Sequence, residues 1–171
     1  FVKGQKALLI LLGFALILNF LINPLFIILF PKTIKFTLGL GAKEFGWFEA
    51  IFSAGAIVGM LLLSILPKRE KSYKLVVHSL MAQSLIQALF GVPILPMIYA
   101  NLSNYSVFIM FCVLSFSMMI FNSLINVPIF TIFQRSVPDE YRGRFFGMLN
   151  TLTQGIVPLG LMLIGFLSDI I

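Results

Sequence analysis

The sequence predicts an all-α, polytopic integral membrane protein whose five transmembrane helices contain an inverted three-helix repeat. Three observations indicate this fold class: the composition, the length of the apolar segments, and the similarity of two parts of the chain. Of the 171 residues, 60% are hydrophobic and 11% are charged. A water-soluble domain of this length has about 25% charged residues and cannot bury so much apolar surface. The chain is therefore predicted to form a single transmembrane domain in a lipid bilayer.

Five apolar segments are long enough to cross the bilayer. A helix needs about 20 residues to span roughly 30 Å of hydrocarbon. Helix is the expected form because backbone amides in lipid must be paired within the segment, and the continuous apolar runs do not alternate as barrel strands do. The predicted spans cover residues 7–30, 45–66, 75–98, 106–131 and 145–167.

The distribution of positive charge predicts the orientation of these spans. Cytoplasmic loops are enriched in Lys and Arg. Nine basic residues fall in the leading segment and the second and fourth loops, whereas three fall in the first loop and none in the third. We therefore expect a cytoplasmic N-terminus for this segment, an extracytoplasmic C-terminal end, and no nucleic-acid partner. The nine are Lys3, Lys6, Lys68, Arg69, Lys71, Lys74, Arg135, Arg142 and Arg144; the three are Lys32, Lys35 and Lys43.

Two parts of the chain resemble each other. The offset is 103 residues for the first pair of similar segments and 101 for the two pairs that follow. The copies start an odd number of helices apart, so they cross the bilayer in opposite directions, as inverted-topology repeats do. Chance similarity of Leu-rich helices is the alternative, but three collinear matches favour a repeat. The pairs are FLINPLFIILF (20–30) with SLINVPIFTIF (123–133), FGWFE (45–49) with FGMLN (146–150), and GMLLLS (59–64) with GLMLIG (160–165).

Two stretches carry a family resemblance that extends over essentially the whole chain. VPDEYRGRFFGMLNTLTQGIVPLG (137–160) resembles the cytoplasmic loop and helix that precede the last span of major facilitator superfamily proteins. LGLGAKEFGWFEAIFSAGAIVG (38–59) is similar to the extracytoplasmic loop and eighth helix of bacterial macrolide and multidrug exporters in that family. The resemblance implies a bacterial plasma-membrane transporter whose partners are the lipid bilayer and a small-molecule substrate.

The second loop indicates which half of such a transporter the chain matches. The first half of the family usually carries a Gly-x-x-x-Asp-Arg-x-Gly-Arg loop, whereas SILPKREKSYK (64–74) has neither the aspartate nor the glycines. The resemblance therefore implies helices seven to eleven, an incomplete six-helix C-terminal half. Its expected partner is the N-terminal six-helix half of the same protein.

Asparagines recur at helical spacing in the first and fourth spans. Residues four apart lie on one face of a helix, and amides in hydrocarbon are costly unless they are hydrogen-bonded. In the resembled fold these two helices line the central cavity, which makes their polar face a candidate substrate contact. Interhelical hydrogen bonding is the alternative. The candidates are Asn19, Asn23, Asn122, Asn126, Ser115 and Met119.

Two prolines and one acid inside the spans are further candidates. Pro24 and Pro128 each remove a backbone donor and crowd the preceding turn, so they are predicted to bend or break their helices. Such a kink serves either as a hinge or as static packing. Glu49 is the one acid within the predicted hydrocarbon and is a candidate for proton coupling, which needs a group that takes up and releases protons. A shallow Glu49 that is hydrated or paired with Lys43 is the alternative.

Glycines and a charged loop complete the candidate residues. Small residues let membrane helices approach closely, which predicts packing positions in the second and fifth spans, with homodimerisation as the weaker alternative. These are Gly55, Gly59, Gly155, Gly160 and Gly165.

In the fourth loop, Pro138 and the acids after it suit a helix start. By resemblance, the loop forms ion pairs that close a cytoplasmic gate, and anchoring by positive charge is equally open. The gate candidates are Asp139, Glu140, Arg142 and Arg144.

Nothing in the sequence indicates an enzyme. We find no nucleophile with its base and no phosphate-binding loop, and a single His78 and a single Cys112 exclude a multi-histidine metal site and an internal disulfide. No cofactor or metal is expected. The predicted function is export of hydrophobic drugs, as in drug resistance, by proton-coupled alternating access (antiport). An uptake permease of the same fold and a non-transporting membrane scaffold remain alternatives.

Overall fold

Helices make up almost all of the described chain. The computed structural model describes residues 26–66 and 72–170, together with Gly13, Leu16, Ile17, Phe20, Asn23 and Pro24. Within these residues there is no β-strand, and four helices are long and apolar enough to cross a membrane. The predicted all-α membrane fold is confirmed. Asn19, Lys3, Lys6, Lys68, Arg69 and Lys71 lie outside the described residues.

The long helices follow the order of the predicted spans. The described residues of the first span are helical and lead into a π-helical turn, Thr33–Thr37. The helices that follow are the second (Ala42–Ile65), the third (Ser72–Leu89), the fourth (Asn104–Ser136) and the fifth (Asp139–Ile170).

The third helix ends at Leu89, well before the predicted end of the third span. A turn at Phe90 and Gly91 leads into a 3-10 helix, Val92–Ile94, and then into a single helical turn, Pro96–Tyr99. Pro93 and Pro96 stand at the start of these two short helices, where the missing amide hydrogen of proline costs no helical hydrogen bond. Hydropathy does not reveal this end, because the residues after the break are as apolar as those before it.

Proline inside the fourth and fifth helices does not end either of them. The fourth helix is continuous through Pro128 and the fifth through Pro158. Of the two outcomes predicted for Pro128, a break of the helix is not observed, and a bend stays a prediction. Pro24 is buried, and the described residues around it are helical.

Residues 34–132 form one compact unit, the central unit, in which the second and fourth helices pack through glycines. A Cβ at Gly59 would lie 2.6 Å from the carbonyl oxygen of Ile120 and 2.8 Å from Cβ of Ser123, and a Cβ at Gly55 would overlap the carbonyl oxygen of Phe116. The Ser123 hydroxyl donates a hydrogen bond to the carbonyl oxygen of Ala56 at 3.0 Å. The two backbones are thus in direct contact.

Residues 1–33 and 133–171 form the second compact unit, the terminal unit. Here a glycine of the fifth helix lies against the first: a Cβ at Gly160 would overlap the carbonyl oxygen of Phe20 and lie 2.6 Å from Cγ of Pro24. The rings of Phe133 and Phe145 pack with centroids 5.5 Å apart across the junction of the fourth and fifth helices.

The glycine contacts follow the predicted repeat. Gly59 and Gly160 occupy equivalent positions, at the offset of 101 residues. Each packs against the first helix of the other copy of the repeat. The segments contacted are equivalent in sequence at the offset of 103 residues, since Gly59 meets Ser123 and Gly160 meets Phe20. Burial along the second and fifth helices also matches at this offset: Phe48 and Leu149 are both buried, whereas Gly46 with Gly147, Glu49 with Asn150, and Ser53 with Gln154 are exposed.

We expect Gly59→Ala and Gly160→Ala to destabilise the full-length protein. The added methyl group meets backbone in both cases, and overpacking of this kind costs about 1–3 kcal/mol. Thermal unfolding in detergent measures the effect. Gly155→Ala is the matched control, because no described atom lies within 4 Å of a Cβ at Gly155 and alanine favours helix. Equal melting temperatures for all three variants would contradict the packing role.

Candidate functional site

Two asparagines of the fourth helix bond to each other. Nδ2 of Asn126 donates to Oδ1 of Asn122 at 2.8 Å and to the carbonyl oxygen of Asn122 at 3.1 Å. Oδ1 of Asn126 and Nδ2 of Asn122 form no hydrogen bond with the described residues, and the Asn126 side chain is exposed. The pair therefore offers one acceptor and one donor group to whatever lies beside the helix.

The face that carries this pair is closed at one end and open at the other. Ser115 is 0% exposed, and its hydroxyl donates to the carbonyl oxygen of Cys112 at 3.0 Å. Met119 and Asn122 are half-buried, Asn126 is exposed, and Phe130 is 46% exposed. Ser115, predicted as a cavity contact, is instead packed inside, so the accessible part of the stripe begins near Met119.

The first helix contributes the repeat counterpart of Asn126. Asn23 is exposed, and Pro24 beside it is buried against Gly160. An exposed amide next to a buried proline is the arrangement expected of a helix that packs on one side and faces a polar region on the other.

Glu49 lies on the exposed side of the second helix, one turn before the exposed Ser53. Within the described residues its carboxylate forms neither a salt bridge nor a hydrogen bond, so the pairing with Lys43 considered above is not observed. The acid that has partners is Glu44, whose two carboxylate oxygens accept hydrogen bonds from the amide of Gly41 at 2.9 Å and from the Tyr105 hydroxyl at 3.4 Å. Glutamate at the third position of a helix is a capping signal that the sequence carries.

The first loop of the central unit is tied to the chain between the third and fourth helices. The Tyr99 hydroxyl donates to the carbonyl oxygen of Thr37 at 2.8 Å, and Nδ2 of Asn104 donates to the carbonyl oxygen of Leu38 at 2.9 Å. Leu38 is buried beneath these bonds, and Gly39 turns the chain with a φ of 64°, in the left-handed region that favours glycine. Tyr99 therefore joins two loops.

Arg142 bridges the junction of the fourth and fifth helices. One of its Nη atoms lies 2.6 Å from Oδ1 of Asp139 and donates to the carbonyl oxygen of Gln134 at 3.0 Å. A cation is favourable beside the carbonyls that end one helix, and an acid is favourable at the start of the next. Glu140 and Arg144 are exposed and form no salt bridge with the described residues.

Three polar residues of the fifth helix were missed by the analysis of the sequence. Asn150, Thr151 and Gln154 are exposed within an otherwise apolar span. Their spacing along one helix is a signal the sequence contains, but none of them lies in the similar segments LINPLF (21–26) and LINVPIF (124–130) of the first and fourth spans. Thr153, beside them, donates to the carbonyl oxygen of Leu149 at 2.8 Å.

The fold and these sites define a class of protein: a polytopic helical membrane protein with a repeat and with polar groups on exposed faces of its spans. The family model described as Major Facilitator Superfamily matches residues 10–171. No curated protein and no solved structure matches the chain. The chain belongs to the major facilitator superfamily. Members of this family are secondary transporters and not enzymes, in agreement with the function class predicted above.

We expect Tyr99→Phe to lower the melting temperature of the full-length protein in detergent. The change removes one hydroxyl and its hydrogen bond to Thr37, which contributes about 0.5–1.5 kcal/mol. Tyr105→Phe is the control, because the same change there removes only a long, exposed bond to Glu44. A Tyr99→Phe protein as stable as the control would show that this bond does not hold the loop.

Proposed function

We propose that the chain is the C-terminal half of an exporter of hydrophobic drugs, of the macrolide and multidrug type, coupled to proton entry. Family membership supplies secondary transport, and the resemblance of residues 38–59 and 137–160 supports the exporter type. The observation that carries the substrate site is the Asn122–Asn126 pair, which leaves one donor group and one acceptor without a hydrogen bond to the described residues.

The helix face that carries Asn122 and Asn126 suits a substrate better than it suits lipid. An amide group without a partner costs several kcal/mol in hydrocarbon. Lipid contact along this face is therefore unfavourable, and contact with water or a ligand relieves the cost. A scaffold protein has no need of such a face, which favours transport over the scaffold alternative. The direction of transport rests on the resemblance alone, and an uptake permease remains the second candidate.

Alternating access gives the repeated contacts a role. We take the Gly59 and Gly160 contacts as the rigid elements within their units, because backbone-to-backbone packing resists deformation. The side chains that contact the substrate then lie on helices that move as rigid bodies when the transporter rocks about a site at the membrane midplane. In this proposal the cytoplasmic face carries the basic loops, and Asp139 with Arg142 stiffens the last of them.

We expect Asn126→Leu to weaken drug export by the full-length protein. Cells that produce the protein are loaded with erythromycin, and accumulation is measured with and without a proton uncoupler. Export predicts low accumulation that the uncoupler raises. Loss of one hydrogen bond to the drug lowers export about 3- to 10-fold in Asn126→Leu. Ser117→Ala is the control, because the Ser117 hydroxyl bonds to the carbonyl oxygen of Val113 in its own helix. Higher accumulation with the protein than without it would indicate uptake and contradict export.

We expect Glu49→Gln to separate drug binding from proton coupling. Gln keeps the size of the side chain but cannot take up or release a proton. In proteoliposomes, drug movement driven by an imposed pH gradient should be lost, whereas drug exchange without a gradient should persist. Glu44→Gln should retain gradient-driven movement; this residue lies five positions earlier, and its carboxylate accepts a hydrogen bond from the amide of Gly41. Gradient-driven transport by Glu49→Gln at the rate of the unchanged protein would exclude Glu49 as the coupling group.

A further inference from the structure

The third helix is apolar on its exposed side and polar on its buried side. In successive turns it exposes large apolar side chains, whose exposed fractions range from 41% to 69%. These are Tyr73, Val77, Met81, Leu85 and Leu89. On the opposite side, Ser79 is 2% exposed and the side-chain oxygen of Gln83 is buried. Polar groups turned inward and apolar groups turned outward are typical of a helix at the lipid boundary of a bundle.

This helix alone is long enough to cross the hydrocarbon of a bilayer. Its 18 residues rise about 27 Å, close to the roughly 30 Å of a bilayer core. The chain therefore reaches a membrane surface near Leu89, well before the fourth helix begins at Asn104. The residues between these two points connect the helices at that surface.

The first part of the connection, residues 90–99, suits neither water nor hydrocarbon. Leu95 and Met97 are 51% and 84% exposed, and apolar area of this size is unfavourable in water. The segment also contains two short helices, Val92–Ile94 and Pro96–Tyr99. Helix ends leave backbone groups without helical partners, which is costly in hydrocarbon. The boundary between lipid chains and headgroups offers both apolar contact and water, so it satisfies both requirements.

Aromatic side chains indicate that the neighbouring helix starts lie at the same boundary. Trp47 is 59% exposed in the second turn of the second helix, and Tyr105 is 59% exposed in the first turn of the fourth. The Tyr105 hydroxyl donates to a carboxylate oxygen of Glu44 at 3.4 Å, so these two helix starts are side by side. Trp and Tyr are enriched where a membrane meets water. The segment 90–99 leads directly to this level.

The first loop places a cation beside the segment. The Tyr99 hydroxyl holds the carbonyl oxygen of Thr37 at 2.8 Å. Two residues earlier, Nζ of Lys35 lies 5.3 Å from the ring centroid of Phe36, which is 73% exposed. Lysine binds phosphate as a point charge and keeps its charged end in the polar layer while its stem lies on apolar surface. Residues 90–106 carry no charge, so no acid of that stretch opposes a phosphate.

We infer that residues 90–99 form an interfacial segment that binds phospholipid of the leaflet beside the first loop. Leu95 and Met97 insert among the upper parts of the acyl chains, and Lys35 pairs with a lipid phosphate. The occupant is lipid because the apolar side of the third helix continues into this segment and because a cation lies next to it. The inference goes beyond the proposed function, since it concerns neither the substrate nor the coupling. It gives the central unit an attachment to one leaflet.

Fluorescence quenching tests the depth of the segment. Leu95→Cys and Met97→Cys are made singly in the full-length protein, labelled with bimane and reconstituted into phospholipid vesicles. Met81→Cys, midway along the third helix, is the control for deep lipid, and Lys43→Cys, at the start of the second helix, is the control for water. The unchanged protein gives the background from the buried Cys112.

Each position should respond to a different quencher. We expect lipid brominated near the ester end of its acyl chains to quench the labels at Leu95 and Met97 severalfold more than iodide does. Lipid brominated near the methyl end should quench best at Met81, and iodide should quench best at Lys43.

Three results would overturn the inference. Quenching at Leu95 or Met97 that is strongest with iodide would place the segment in water. Quenching that is strongest with methyl-end bromine would make it a continuation of the third span. Weak quenching by every agent would show that protein covers the segment, whether the other half of the transporter or a second copy of this chain.

Thermal unfolding tests the contact between Lys35 and phosphate. Phosphatidylglycerol added to the full-length protein in detergent should raise its melting temperature, because a ligand that binds the folded state stabilises it. Lys35→Gln should lose much of this rise, whereas Lys35→Arg should keep it. Lys43→Gln is the matched control and should keep it as well. An equal rise in Lys35→Gln and the unchanged protein would exclude the phosphate contact. Inorganic phosphate should give no rise, and an equal rise with it would overturn lipid as the occupant.

Discussion

Hydrocarbon supplies no hydrogen-bond partner, and the position of nearly every polar group in this chain follows from that constraint. Four hydroxyl groups of the fourth and fifth helices bond to carbonyl oxygens one turn earlier in their own helix, those of Ser115, Ser117, Thr131 and Thr153. Ser123 bonds to the neighbouring helix instead. Amides cannot be fully satisfied in this way, because each has two donor hydrogens and an acceptor. Asn23, Asn126, Asn150 and Gln154 accordingly lie on exposed faces, whereas Gln83 keeps a buried amide oxygen that has no hydrogen-bond partner among the described residues.

Helix association in this setting depends on shape. Lipid tails are as apolar as leucine, so burial of leucine against leucine gains little in a membrane, and close backbone contact supplies the dispersion energy instead. Gly59 and Gly160 provide such contact in different units of the chain and at equivalent positions of the repeat. The repeat is thus a repeat of packing as well as of sequence. A leucine in place of either glycine would push apart the two helices that the glycine now lets touch.

Much of the fold could be predicted from the sequence, because length and hydropathy determine membrane helices directly. The end of the third helix at Leu89 could not be predicted in this way. The residues that follow Leu89 are as apolar as the helix itself, so hydropathy assigns them to the same span. The hydrogen bonds of Tyr99 and Asn104 join residues far apart in the chain, and no local pattern marks them. Asn150 and Gln154 carry a signal of their own, helical spacing in an apolar span, but neither recurs as the same residue type at the offset of the repeat. Asn23 and Asn126 do recur, in LINPLF (21–26) and LINVPIF (124–130).

The tie between Tyr99, Asn104 and the first loop uses backbone acceptors only. A carbonyl oxygen is present whatever the side chain, so the identity of residue 37 is free to vary without loss of its bond. Chain length is not free, because one inserted or deleted residue would move both acceptors out of reach of their donors. Position 37 is therefore tolerant of substitution, whereas Gly39 needs its left-handed φ, Leu38 is buried, and the loop is intolerant of insertion.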